Sequence, residues 1–182
     1  MEKTIKRKWG TDMIKKRSRI HNLTLSGIFA ALITIFTAYI GHIPVGINGG
    51  YIHFGDGLIY LAATILPMPY AMLAGAIGGG MADLLTAPAW TLATVIIKAL
   101  IVIPFTNSSI RILGKRNLVA PVISYFISAT GYYIAEALLF GTKAAIITSF
   151  SGSFIQSFGS MIFFLMLGTT LDRIGFKARM EA

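Results

Sequence analysis

Five polar side chains interrupt long apolar stretches of this chain: Asp56, Asp83, Lys98, Glu136 and Gln156. A charge within hydrocarbon costs at least a few kcal/mol, so such a group normally faces a cavity or a partner. Their chemistry allows two uses. Asp83 and Glu136 could act as general acid and base or hold a metal. Alternatively, the acids, the lysine and the amide could together hydrogen-bond one polar solute.

Spacing places each group beside helpers. Ala71, Gly75, Gly79 and Asp83 recur every four residues, as do Trp90, Thr94 and Lys98. Tyr132 and Tyr133 lie one turn before Glu136, and Ser149, Ser153, Gln156, Ser157 and Ser160 form a polar stripe. In a helix, positions four apart share a face. Plainer readings stand beside these. Lys98 could pair with Asp83 or Glu136 as structural glue, and Asp56 could cap a helix N-terminus. The serine stripe could be a packing face, and Trp90 and the tyrosines could be interfacial anchors. His42 and His53 read as loop residues, because no third ligand has a suitable spacing; no metal and no cofactor are expected.

The elements that must carry these groups are membrane spans. Of 182 residues, 55% are hydrophobic and 13% charged, against about 25% charged in soluble domains. The mean hydropathy is +0.72. Apolar runs cover about 22–40, 57–67, 70–86, 89–105, 119–140 and 147–171. The expected fold is an all-α integral membrane bundle of six transmembrane helices. Residues 1–21 form a basic cytoplasmic arm, 22–172 the membrane domain and 173–182 a cytoplasmic tail.

The net charge of +9 raises the question of nucleic acid, but its placement answers it. Eight of the sixteen basic residues precede position 20, three sit in 106–118 and three follow position 172. With the N-terminus inside, fourteen basic residues fall in inner segments and one, Lys143, in an outer segment. That bias predicts both termini in the cytoplasm. The chain has no cysteine, hence no disulfide framework.

In this topology Asp83 and Glu136 lie about one turn from the outer ends of their helices. Lys98 and Gln156 lie about nine residues in, or roughly 13 Å at 1.5 Å per residue. Asp56 starts its helix on the same side. The expectation is therefore a chamber open to the outside. Trp90 and either Tyr132 or Tyr133 would stack a flat heteroaromatic ring there. Thr94, Asp83, Lys98, Glu136 and Gln156 would line it, and Asn48 and His53 are candidates from the covering loop 41–55. The first helix differs: Ser26, Ala30, Thr34 and Ala38, with Gly27 and Ala31 beside them, form a stripe of small residues suited to close packing on an internal helix or another subunit.

The stretch 51–100 resembles the substrate-binding S-component of energy-coupling factor (ECF) transporters. The likeness rests on Gly55-Asp56 after the first loop, the Leu66-Pro67 break, the Gly-rich helix ending in Ala82-Asp83-Leu84, and the helix from Thr94 to Lys98. The closest subgroup is that for hydroxymethylpyrimidine or pyridoxine-type vitamins; riboflavin, thiamin and pantothenate are alternatives. The resemblance implies a vitamin-binding subunit of the bacterial cytoplasmic membrane, working with a transmembrane T-component and two cytoplasmic ATPases. It also implies that an Ala-x-x-x-Ala motif on the first helix meets the T-component; here Gly27-x-x-x-Ala31 and Ala30-x-x-x-Thr34 stand in its place. The loop 41–55 would act as a lid. Replacing Lys98 by Met is then expected to abolish ligand retention at near-normal expression. An integral membrane enzyme is the rival class, against which stands the lack of a zincin motif or nucleophile elbow. A carrier built from inverted repeats is a second rival, and no internal symmetry supports it.

Overall fold

The computed structural model describes residues 19–40, 42–44, 51–141 and 145–181. Helix α1 spans Arg19–Ala38, α2 Asp56–Ile65, α3 Met68–Thr86, α4 Thr91–Leu100, α5 Lys115–Phe140, α6 Ala145–Arg173 and α7 Phe176–Glu181. A short 3-10 turn, Pro88–Trp90, leads into α4. Two-residue strands β1 (Ile43–Pro44) and β2 (Tyr51–Ile52) pair antiparallel between α1 and α2, with Ile43 opposite Ile52.

Each of the six apolar runs becomes one of the helices α1–α6. Helix α1, α5 and the Ser149–Arg173 part of α6 are long and apolar enough to cross a membrane. The 20 residues of α1 reach about 30 Å at 1.5 Å per residue, close to a bilayer's hydrocarbon thickness. Their outward side chains, among them Leu23, Ile28 and Ile35 on α1, Val122 and Phe126 on α5, and Ile162 and Met166 on α6, are exposed apolar groups. Exposed apolar surface on this scale requires a nonaqueous neighbour.

Helix α2 is different. It has 10 residues, all of them buried, and would reach only about 15 Å, half the hydrocarbon thickness. Helix α6 packs along it, and α1 and α3 touch it from the other side. Tyr60 stacks on Phe105 at 5.0 Å and meets the edge of Phe164 at 6.0 Å. The central helix ends at Leu66, whose extended backbone (ψ 151°) is what a following proline demands.

Helix α3 lies between α1 and α4, and its glycines allow both approaches. A Cβ on Gly78 would stand 2.7 Å from Ile33 Cβ and 2.8 Å from the Ala30 carbonyl oxygen. A Cβ on Gly79 would stand 2.7 Å from Lys98 Cγ. Gly78→Val is therefore expected to cost about 1–3 kcal/mol by overpacking, read as a lowered thermal midpoint of the detergent-purified protein. Gly27→Ala is the control, since nothing lies within 4 Å of a Cβ there. Equal midpoints for the two variants would contradict the α1–α3 contact.

Residues 173–181, expected as a tail, contain α7, which docks against the bundle. Lys177 Nζ donates to the carbonyl oxygens of Thr64 (2.8 Å), Ser109 (2.6 Å) and Asn107. Asp172 accepts the backbone N–H groups of Ile112 (2.7 Å) and Leu113 (3.0 Å). Asn117 holds the same loop, accepting from Thr106 N–H at 2.9 Å and donating to the Ile112 carbonyl at 3.0 Å.

Candidate functional site

The site is built where α2 begins. Lys98 Nζ lies 2.7 Å from Asp56 Oδ1 and 2.9 Å from Oδ2, and both side chains are 1% exposed. Gln156 Nε2 donates to Asp56 Oδ2 at 2.8 Å. Three helices, α2, α4 and α6, thus contribute one polar group each to a single buried cluster. Above it, the Tyr132 ring centroid is 5.4 Å from Lys98 Nζ, a favourable cation–π separation. The hydroxyls of Tyr132 and Thr94 share a hydrogen bond of 3.0 Å. Trp90 stands edge-on to Tyr132 at 6.0 Å and tilts against Phe140 at 5.6 Å.

These contacts correct three expectations. Lys98 pairs with Asp56, where the sequence suggested Asp83 or Glu136. Asp56 does not cap α2: the cap position is Gly55, which makes no side-chain cap hydrogen bond. Nor does Asp56 sit level with the Ala145 end of α6. Its partner Gln156 is eleven residues into α6 from Ala145, about 16 Å along the helix axis. The short helix, 10 residues long, thus starts within the bundle.

The residues just before α2 are tightly seated. Gly55 packs so closely on Thr37 that a Cβ would fall 2.1 Å from its hydroxyl oxygen. The Gly55 N–H donates to His53 Nδ1 at 3.0 Å, so the neutral imidazole carries its proton on Nε2. His53 Nδ1 also lies 3.5 Å from the Thr37 hydroxyl on α1. Asn48 and the loop glycines Gly41, Gly46, Gly49 and Gly50, expected to let that loop act as a lid, lie outside the described residues.

The remaining candidates divide. Glu136 is buried and accepts from Ser149 Oγ at 2.6 Å, a polar contact between α5 and α6. Asp83 is buried on α3, one turn beyond Gly79 and on the side that faces α4. Of the two tyrosines, Tyr132 belongs to the cluster; Tyr133 faces Phe150 instead, at 6.5 Å. Ser153, Ser157 and Ser160 are buried along α6 with Gln156. Sequence reasoning left Asp56 out of the candidate site. The signal was present as a carboxylate next to a Gly-rich loop, but a helix-start acid has a commonplace alternative in capping.

The small-residue stripe on α1 serves two faces. Ser26 donates to the Tyr70 carbonyl at 2.7 Å and Thr34 to the Gly78 carbonyl at 3.1 Å, tying α1 to α3. Ala30 and Ala38 are buried, whereas Gly27 and Ala31 are exposed. The last two line an open groove of about 360 Å³ between α1 and α3, with Leu23, Leu73, Ile77 and Met81.

Comparison with known proteins accounts for this arrangement. Over 142 residues the chain is 28% identical to a protein of Pyrococcus woesei described as "Uncharacterized protein in gap 3'region", covering 76% of this chain and 95% of that protein. Residues 17–173 match the family described as "ECF-type riboflavin transporter, S component". That match contains α1 to α6 and every residue of the Asp56–Lys98–Gln156 cluster, so this chain belongs to the ECF-type riboflavin transporter S-component family, a substrate-binding transport subunit of the membrane and not an enzyme.

Proposed function

We propose that this chain captures a flat heteroaromatic vitamin at the outer side of the bacterial cytoplasmic membrane. In this reading the chain crosses six times with both termini inside. The observation that carries the proposal is the meeting of Asp56, Lys98 and Gln156 from three helices at one buried locus beneath Tyr132 and Trp90. Buried polar groups brought together at such cost are a mark of function within a membrane. Asp83, Thr94 and Glu136 flank the locus, and Tyr133, His53 and Asn48 are assigned to its rim and lid.

The family description names riboflavin, which makes it the first ligand to test, ahead of the hydroxymethylpyrimidine or pyridoxine subgroup suggested by the sequence. The groove lined by Gly27 and Ala31 is assigned to the T-component, and ATP hydrolysis to its two ATPase partners. The shape of the groove supports this, because small residues let a foreign helix approach closely.

The chain has two tryptophans, Trp9 and Trp90, so a Trp9→Phe background makes emission report Trp90 alone. Riboflavin is expected to quench that emission saturably. Tyr132→Ala is expected to weaken binding at least tenfold, about 1.4 kcal/mol, the scale of a lost aromatic stack. Quenching by hydroxymethylpyrimidine or pyridoxine in place of riboflavin would return the ligand to the subgroup read from sequence. Binding of none of these, or transport in proteoliposomes without any ATPase, would end the proposal.

A further inference from the structure

We infer that Asp56 and Lys98 are positioning residues, which hold the ligand-facing groups without touching the ligand, and that the ligand meets only uncharged groups at this end of the site. The inference rests on the ligand-binding reading above and deepens it. An ammonium group has three N–H donors. One donates to Asp56 Oδ2 at 2.9 Å, Oδ1 lies 2.7 Å from the same nitrogen in the ion pair, and Nζ stands 5.4 Å from the centre of the Tyr132 ring. The stem is clamped as well, because Gly79 leaves no room for a single Cβ beside Lys98 Cγ. Lys98 is 1% exposed, held between Asp56 and the Tyr132 ring.

Asp56 is buried as well. Both oxygens lie on Lys98, and Oδ2 also takes the Gln156 amide. The pair therefore sets two neutral groups in place, Gln156 through the carboxylate and Tyr132 through the ammonium. What remains to meet a ligand is the rest of the Gln156 amide and the Thr94–Tyr132 hydroxyl pair. An amide offers a donor and an acceptor side by side, which matches a lactam or amidine edge of a nitrogen heterocycle. An anionic group would have to draw Lys98 away and leave Asp56 charged and unpaired in the interior, the costliest outcome for a buried pair.

The test uses full-length chains in the Trp9→Phe background: Asp56→Asn, Lys98→Gln, and the double variant, in which two amides replace the ion pair. Thermal midpoints are measured without ligand, and riboflavin affinity by Trp90 quenching. Each single variant is expected to lose at least about 30-fold in affinity, as when one partner of a buried charge pair is removed. The double variant is expected to recover to within about tenfold of the parent, which is roughly 1.4 kcal/mol. A double variant that binds as poorly as Lys98→Gln would mean that Lys98 touches the ligand directly, and the inference would fall. If the parent binds no riboflavin, the ligand reading fails instead. The ligand-free midpoints still decide the pair in that case: restoration in the double variant supports it, and additive losses overturn it.

Discussion

Lys98→Met is expected to destabilise the folded protein by about 3–5 kcal/mol, the penalty for stranding one member of a buried ion pair. The sequence alone led to the opposite expectation for yield, with ligand retention lost and expression near normal. The difference lies in Asp56. Its carboxylate is 1% exposed and both oxygens rest on the Lys98 ammonium. Methionine fills the volume of the stem but leaves that carboxylate with Gln156 as its remaining side-chain donor. The measurement is the fraction of monodisperse protein after solubilisation, together with its thermal midpoint. A Lys98→Met protein as abundant and as heat-stable as the parent would show that the pair does not support the fold.

Lys177→Met is expected to release the end of the bundle where α7 docks. One buried ammonium ties together Thr64, at the end of the central helix, and Asn107 and Ser109 in the loop before α5. Hydrogen bonds from a charged donor contribute about 1.5–3 kcal/mol each, and buried carbonyls left without a donor add their own penalty. A net loss on the order of 3 kcal/mol is expected, less than the simple sum because water reaches the loop carbonyls once α7 loosens. Hydrogen exchange at the Ile112 and Leu113 amides, held by Asp172, should accelerate with it. Unchanged protection there would show that α7 does not hold the loop. Riboflavin affinity is expected to change less than for the charge-pair variants, since Lys177 lies at the opposite end of α2 from Asp56.

Both expectations depend on contacts between residues far apart in the chain, which marks the limit of what could be read from sequence. Hydrophobic runs placed α1 to α6 to within a few residues, because a bilayer sets the length of an apolar segment and because Pro67, Pro88 and the charged loop at 111–116 interrupt the runs. The polar groups stood out for the same reason: a charge in hydrocarbon needs a justification, so Lys98, Asp83, Glu136 and Gln156 were visible as candidates before any fold was known. Thr94 and Lys98 share one face of α4, as their four-residue spacing implied, while Trp90 lies in the 3-10 turn before it.

Periodicity along one helix says nothing about which other helix it faces. That Lys98 meets Asp56, that Tyr132 rather than Tyr133 covers the pair, and that Ser26 and Ala30 turn inward while Gly27 and Ala31 stay open follow from the packing of α3 between α1 and α4. The depth of Asp56 was hidden for a related reason. A short apolar run reads as a truncated span when lipid is taken as its neighbour, whereas α2 is sheathed by protein and begins inside the bundle. Composition and spacing determined the membrane, the helices and the polar inventory, since these depend on each residue's own cost of transfer from water. Pairing and depth depend on which surfaces fit together, and only the tertiary structure decided them.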